Sequence, residues 1–505
     1  MKRVVVLGAL AALGGCQTRP DGAALAVVGE ATRPRWTDAL PTRTPFFDGE
    51  RVRLRAARGE VLGVHVVREG RGTVAVDLAI GAGGVRIDSY AVDHHLVTSP
   101  STSMYGGSRG PGRYPDRLTP ATPPLAVARS AFFDVAVGRD AAAGVHRGWL
   151  SVGDRRLPVE LTIEDVELPD IAAAPRVWAY YDATEVSHAH GLPPGADTLA
   201  QERHQAALFR AHGVVASPEL TAESWPERRD LVAGLAYLPV LLPRDHAALT
   251  VEVGGWIART AGTGQVPFAI PIDEPRAILA QLRVRARAAW VRAAGGGPGR
   301  FLYAVTQRPS WLLGDDVDVY ISPFAAGVVP GAWTYNGTPP WAGAMVLDAA
   351  DPGVRSWGWI AYRYDVPLWY VWDALYWRDR HNRGRDAAPA HDLVTAPLTF
   401  DDGEDHGNLD GVLAFPGALP SLRLKALRRG IQDRALLEAL AGCAGRPAAD
   451  AIARTMVPRA LAGVGPGQRA TWPRDEADWE AARQRILDEL VACRHGAGAA
   501  SSAPP

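Results

Sequence analysis

Two adjacent carboxylates, Asp273 and Glu274, end the stretch V-P-F-A-I-P-I-D-E-P-R that runs from Val266 to Arg276. One acid that stays ionised beside one that holds a proton is the equipment of general acid/base chemistry, so the pair is a candidate catalytic centre. The same letters also read as punctuation. Asp273 could cap a following helix, with Glu274 in its first turn and Pro275 tolerated there. The residues before the pair help to weigh the two readings. Phe268 to Ile272 is a short apolar run without polar alternation, the pattern of a parallel strand covered on both faces. Acids at the carboxyl end of such a strand lie where a strand-helix barrel builds its active site.

The flanking sequence supplies such a barrel. From Pro175 onward short apolar runs alternate with Ala- and Arg-rich helical stretches, which signals a parallel sheet with crossover helices. Eight strands are expected: Val177 to Tyr181, Val214 to Ala216, Leu235 to Leu242, Phe268 to Ile272, Phe301 to Thr306, Val317 to Ser322, Ala332 to Tyr335 and Val366 to Trp372. Thr198 to His212 and Arg276 to Ala294 are the clearest connecting helices. This reads as a (β/α)8 barrel over residues 175–400, with Asp273 and Glu274 ending the fourth strand. Other strand ends offer Tyr181 and Asp182, Gln307, Tyr335 and Asn336, and Trp369, Trp372 and Asp373. Together they describe a polar, aromatic-lined cleft of the kind that binds a sugar.

Residues 23–165 read differently, as short strands such as Val61 to Arg68, Val74 to Ile80, Ala131 to Val137 and Leu157 to Ile163, separated by Gly, Pro and Asp. That is the text of an antiparallel β-sandwich. His94 and His95 are neighbours on one strand, so they face opposite ways and cannot readily share a metal; they read as surface or loop residues. Ahead of the sandwich, Met1 to Cys16 has Lys2 and Arg3, an apolar run and small residues, the pattern of an export signal. Its ending, Leu13-Gly14-Gly15-Cys16, resembles a bacterial lipobox. That resemblance implies cleavage before Cys16, lipid on its sulfur, and an exported chain held at a membrane by lipid alone. Cys443 and Cys493 could pair in an oxidising compartment.

Composition narrows the partners. Lys and Arg number 54 against 55 Asp and Glu, a net charge of −1, which gives no electrostatic case for nucleic acid. No glycine-rich phosphate loop and no paired Cys/His motif announces a cofactor or metal. Sixteen Trp fit either a large core or the flat faces that pack on pyranose rings.

Three segments resemble glycoside hydrolase family 123 and the related domain of unknown function 4091. They are the D-E-P at Asp273 to Pro275, the run W-G-W-I-A-Y-R-Y-D-V-P-L-W-Y-V-W from Trp357 to Trp372, and N-L-D-G-V-L-A-F-P-G-A-L-P-S-L-R-L-K-A-L-R-R-G-I-Q-D-R-A-L-L from Asn408 to Leu437. The likeness spans roughly Tyr114 to Leu440 and implies a carbohydrate substrate and a retaining β-N-acetylgalactosaminidase-type mechanism. In it the substrate's acetamido group attacks the anomeric carbon, Asp273 orients that group and Glu274 is the general acid/base. Ordinary retaining enzymes flank the bond with carboxylates about 5 Å apart, commonly from different strands; sequence neighbours suit substrate assistance, in which both act from one side. For this role Glu274 is expected to be buried and close to the Asp273 charge. Tyr335, Asn336 and Trp372 match the family's acetamido-holding residues loosely. Two other functions stay open: a non-catalytic glycan-binding lipoprotein, and a glycosidase for sugars without an acetamido group, using Asp182 or Asp373 as nucleophile.

Residues 401–495 complete the chain with two packing helices, one in Pro420 to Leu440 and one carrying Trp479, Ile486, Leu487, Leu490 and Val491. A polar loop from Arg378 to Asp392 reads as exposed, and the tail 496–505 as disordered.

Overall fold

The computed structural model describes residues 24–193, 195–350, 352–379, 391–400, 407–465 and 467–501. The export signal with Cys16, most of the Arg378 to Asp392 loop, and the last four residues lie outside them.

Ten strands form the sandwich. They are β1 (Leu25–Val28), β2 (Val52–Arg58), β3 (Val61–Arg68), β4 (Val74–Ile80), β5 (Val85–Val97), β6 (Gly112–Pro120), β7 (Leu125–Val127), β8 (Ser130–Val137), β9 (Gly144–Val152) and β10 (Arg155–Glu167). They divide into sheets of order β1-β3-β8-β5-β6 and β2-β10-β9-β4-β7. The pairing is antiparallel except between β2 and β10, which run parallel. Val27, Val64, Phe133, Leu150 and Leu161 fill the space between the sheets. His94 and His95 are buried rather than exposed. Trp36 packs edge-on against His94, and His95 Nε2 meets the Phe400 carbonyl at 3.1 Å. Burial depresses both imidazoles to about 4, so they are neutral packing groups.

All eight expected strands of the second domain are present: β11 (Val177–Tyr180), β12 (Val215–Ser217), β13 (Tyr237–Pro239), β14 (Val266–Ala269), β15 (Leu302–Val305), β16 (Val319–Tyr320), β17 (Thr334–Tyr335) and β18 (Trp369–Val371). They follow one another in the order of a (β/α)8 barrel but do not make one continuous sheet. The strands form two four-stranded parallel sheets, β12-β11-β18-β17 and β13-β14-β15-β16. Single parallel bridges, Leu220 to Val240 and Ile321 to Trp333, join one sheet to the other.

The helical layer is also incomplete. Helices α1 (Ala183–Ala189), α2 (Leu199–Arg210), α3 (Trp225–Arg228), α4 (His246–Thr260), α5 (Ile278–Ala293) and α6 (Ser356–Arg363) follow β11, β12, β13, β14 and β17. Among the described residues no helix follows β15 or β16 before the next strand. Those connections, R-P-S-W-L-L-G-D-D and S-P-F-A-A-G-V-V-P-G, are broken by Pro and Gly and lack a helical apolar stripe.

Helices α7 (Leu422–Ala444), α8 (Arg446–Met456) and α9 (Glu476–Ser501) close the fold. The expected tail therefore overlaps the last turns of α9. Cys443 on α7 and Cys493 on α9 are bonded, with Cα atoms 6.2 Å apart.

Helix α7 lies between the two domains, and its buried cations reach the sandwich. Arg423 pairs with Asp116 at 2.8 Å, and both side chains are fully buried. Lys425 and Arg428 share Asp134, each at 2.6 Å. Arg429 takes Glu60 at 2.7 Å, and Arg483 of α9 takes the other oxygen of the same carboxylate. Other residues of the long family-like segment serve α7 itself and its packing on the second domain: Ser421 caps α7, Asp433 accepts from Arg355 and Trp359, and Gly430 meets Gly358 of α6 backbone to backbone. Half of the sixteen Trp, among them Trp178, Trp333, Trp357 and Trp369, are fully buried core.

Candidate active site

The acids at the end of β14 do not cap the next helix. Helix α5 begins at Ile278 with Ala277 as its N-cap, and no side chain closes that end. Asp273 and Glu274 are instead bound to the neighbouring strand. Thr306, directly after β15, donates its hydroxyl to Asp273 Oδ1 at 2.5 Å and accepts the Glu274 N–H at 2.7 Å. One hydroxyl therefore fixes both residues. Glu274 is held at φ 38°, a left-handed conformation that a non-glycine residue adopts only where its surroundings enforce it. Such strain collects at functional sites.

The Glu274 carboxyl has two partners. Tyr335 of β17 donates its phenol to Oε1 at 2.9 Å, and the exposed Arg276 pairs with Oε2. Burial, and then the Glu274 charge, push the Tyr335 phenol well above its ordinary range, so it remains a donor. The side chain expected to be buried is 38% exposed, open to a ligand from solvent. Asp273 is exposed as well.

A third carboxyl, Glu219, joins this group; it lies two residues beyond β12. Burial, and then the charge of Asp273, raise it to about 7. Tyr370 of β18 lies under the same fields, its phenol raised first by burial and then by Glu219 and Asp273. Tyr370 stacks on Trp178 at 4.7 Å and stands in register with Tyr335. Neither Glu219 nor Tyr370 was among the residues read from the sequence. The strand-end rule applied to Val214 to Ala216 leads straight to the S-P-E that carries Glu219, and Tyr370 sits inside the W-Y-V-W run.

The other predicted residues fall into two sets. Asn336, at φ 50°, donates its N–H to the Tyr370 carbonyl, and its side-chain oxygen accepts the Trp372 N–H at 2.9 Å. Trp372 is half-buried and donates its indole N–H to Asp410 at 3.1 Å, where Tyr105 of the sandwich also donates at 3.2 Å. These hydrogen bonds fix the carboxyl ends of β17 and β18 relative to each other. Gln307 follows Thr306 and accepts from the Arg308 N–H.

The second set is structural. Tyr181 is fully buried and donates to Glu202 of α2 at 3.0 Å, because the strand pleat turns it away from the face that Tyr180 shares. Asp182 caps α1 through the Thr184 N–H. Trp369 is buried, stacked on Trp357 at 5.0 Å, and donates to the Asn336 carbonyl. Asp373 is buried and accepts from the Leu375 N–H at 2.8 Å. Among the described residues no His, Cys, Asp and Glu cluster could hold a metal ion.

No protein-family model matches the sequence, and no curated protein matches it. Solved structures do. A glycosyl hydrolase family 2 member from Bacteroides cellulosilyticus has 10% identity over 63% of this chain and 44% of that one, with a TM-score of 0.25. A putative alpha-galactosidase from Bacteroides fragilis has 9% identity over 70% of this chain and 76% of that one, with a TM-score of 0.24. Both overlap too loosely to bear on the architecture. A family 123 glycoside hydrolase from Clostridium perfringens overlaps far better: 95% of this chain and all of that one superpose with a TM-score of 0.63 at 10% identity, so the two chains share a fold.

Proposed function

We propose that the protein is a retaining glycoside hydrolase acting on β-N-acetylhexosamine glycans of the galactosamine type, by substrate assistance. The observation that carries this reading is the Thr306 hydroxyl, which binds Asp273 and the Glu274 backbone at once and so fixes two sequence-adjacent carboxyls together at the end of one strand. The shared fold with a family 123 enzyme adds support.

In the first step the acetamido carbonyl oxygen attacks the anomeric carbon while Asp273 accepts the acetamido N–H and faces the positive charge that develops. Glu274 gives its proton to the departing glycosidic oxygen, and Tyr335 orients the carboxyl. In the second step Glu274 takes a proton from water, which opens the cyclic intermediate and regenerates the acetamido group. The two carboxylates named as alternative nucleophiles, Asp182 and Asp373, are occupied by backbone N–H groups. Export with lipid on Cys16 accords with the first sixteen residues and with the Cys443–Cys493 disulfide, which belongs to an oxidising compartment.

The test is release of nitrophenol from aryl N-acetyl-β-galactosaminide by the chain starting at Gln17. Turnover of this substrate, absent with the plain β-galactoside and lost in Glu274→Gln, is the expected result. Turnover of the plain galactoside as well would remove the acetamido step. Turnover of neither sugar, with glycan binding retained, would leave a binding protein.

A further inference from the structure

Glu219 has no task within the protein. The backbone around it is fixed: the Leu220 N–H donates to the Pro239 carbonyl at 3.0 Å, and the Leu220 carbonyl accepts from Leu241 at 2.9 Å. Its carboxyl caps no helix, since α3 begins later with Ser224 as its N-cap. Among the described residues it makes no hydrogen bond or ion pair, and the Tyr370 hydroxyl makes no hydrogen bond either. The carboxyl is half-buried at the strand end, so it is held in place by the fold while its hydrogen-bonding capacity stays open to a ligand.

A comparison within the molecule separates this case from packing. Glu30 is also a buried acid raised to about 7, but it sits in the interdomain core under Arg428 and Arg429, walled off from ligand. Glu219 stands at a strand end, half-buried, under the field of Asp273. Tyr180, in register with Ser217, and Trp178, whose indole donates to Ser217 at 3.0 Å, hold the same strand end from the β11 side.

We propose that Glu219 is a sugar-contacting residue of this site: its carboxyl, with the Tyr370 hydroxyl, binds ring hydroxyls of the pyranose whose acetamido group lies against Asp273. This rests on the functional reading above and deepens it. A protonated carboxyl offers one donor and an acceptor, and a phenol offers one of each, which matches hydroxyls that both give and take hydrogen bonds. The carboxyl would set which hydroxyl pattern is accepted, and it takes no part in bond making.

The experiment measures binding, so that it does not depend on turnover. Calorimetry follows nitrophenyl N-acetyl-β-galactosaminide and its 3-, 4- and 6-deoxy analogues with Glu274→Gln, then with Glu274→Gln/Glu219→Ala and Glu274→Gln/Glu219→Gln, each shown folded by its melting curve. We expect one deoxy analogue to bind Glu274→Gln about ten- to a hundredfold more weakly than the parent sugar. Glu219→Ala should weaken the parent sugar by a similar factor and close the gap to that analogue, while Glu219→Gln should restore part of it. Equal affinities with and without the Glu219 side chain, or a gap that persists in Glu219→Ala, would overturn the proposal. Sugar binding that depends on Glu219 in a protein without turnover would keep the proposal and end the enzymatic reading. A chain that binds none of these sugars would end both.

Discussion

The raised carboxyl of Glu219 makes a prediction about stability that holds whatever the substrate. Burial, and then the Asp273 charge, raise it from 4.5 to about 7 in the folded protein. The folded state therefore holds this proton over a range of pH in which the unfolded chain has released it. Stability falls with pH wherever the folded state binds more protons, so Glu219 contributes nothing adverse below about pH 4.5 and a growing penalty up to about pH 7, constant beyond. The span of 7 − 4.5 units, at 1.36 kcal/mol each, gives a penalty of about 3 kcal/mol. Glu219→Gln keeps the shape and cannot ionise. Its urea stability relative to the parent protein should rise by up to about 3 kcal/mol between pH 4.5 and pH 8. Asp273→Asn, which removes the second cause and leaves burial, should shrink the parent's decline without abolishing it. Glu30 titrates in the same window, but it is present in every variant and cancels in the difference. Parallel stability curves for the parent and Glu219→Gln across this range would refute the placement of that carboxyl.

Three further outcomes follow from contacts elsewhere. Thr306→Val deletes the hydroxyl that binds Asp273 and the Glu274 N–H; leaving that N–H unpaired costs about 1–3 kcal/mol, and nitrophenol release should slow about 10- to 100-fold, with Thr306→Ser close to the parent. Gly358→Ala places a Cβ 1.8 Å from the Gly430 carbonyl oxygen, backbone against backbone, so α6 and α7 must part and the melting temperature should fall, whereas Ala at the unobstructed Gly442 of α7 should not lower it comparably. Reduction of Cys443–Cys493, or Cys443→Ser, reopens a separation of 50 residues, worth about 4 kcal/mol by loop-closure entropy, and should lower the urea midpoint accordingly.

The eight strands of the second domain were legible because each is a short apolar run with a marked end. The missing helices after β15 and β16 were not, since the pattern of alternation was carried through two Pro- and Gly-rich connections that cannot sustain it. At the site, Asp273, Glu274 and Tyr335 were readable as strand-end residues, and the structure brings them together. Tyr181 was misread by one step of the pleat: Tyr180 shares the face of Ser217, and Tyr181 turns to Glu202. Glu219 was missed because P-E after a three-residue strand is an unremarkable pair of letters. Only the fold reveals that the Asp273 charge reaches it. The longest family-like segment pointed away from the chemistry, because Ser421, Arg423, Arg428, Gly430 and Asp433 serve the contacts of α7.

Those contacts change what the boundary near residue 170 means. Glu60, Asp116 and Asp134 belong to the sandwich by backbone, yet they are the counterions of Arg423, Lys425, Arg428, Arg429 and Arg483 in the carboxyl-terminal helices. A barrel cut free of the sandwich would expose a row of unpaired cations, and one joined to a sandwich lacking these acids would bury them unpaired, at about 3–5 kcal/mol for each broken pair. The visible seam in the chain is therefore not a line along which it could be shuffled. Recombination that joined this barrel to another sandwich would have to bring the three acids with it, so the two halves can be expected to descend together as one inherited piece.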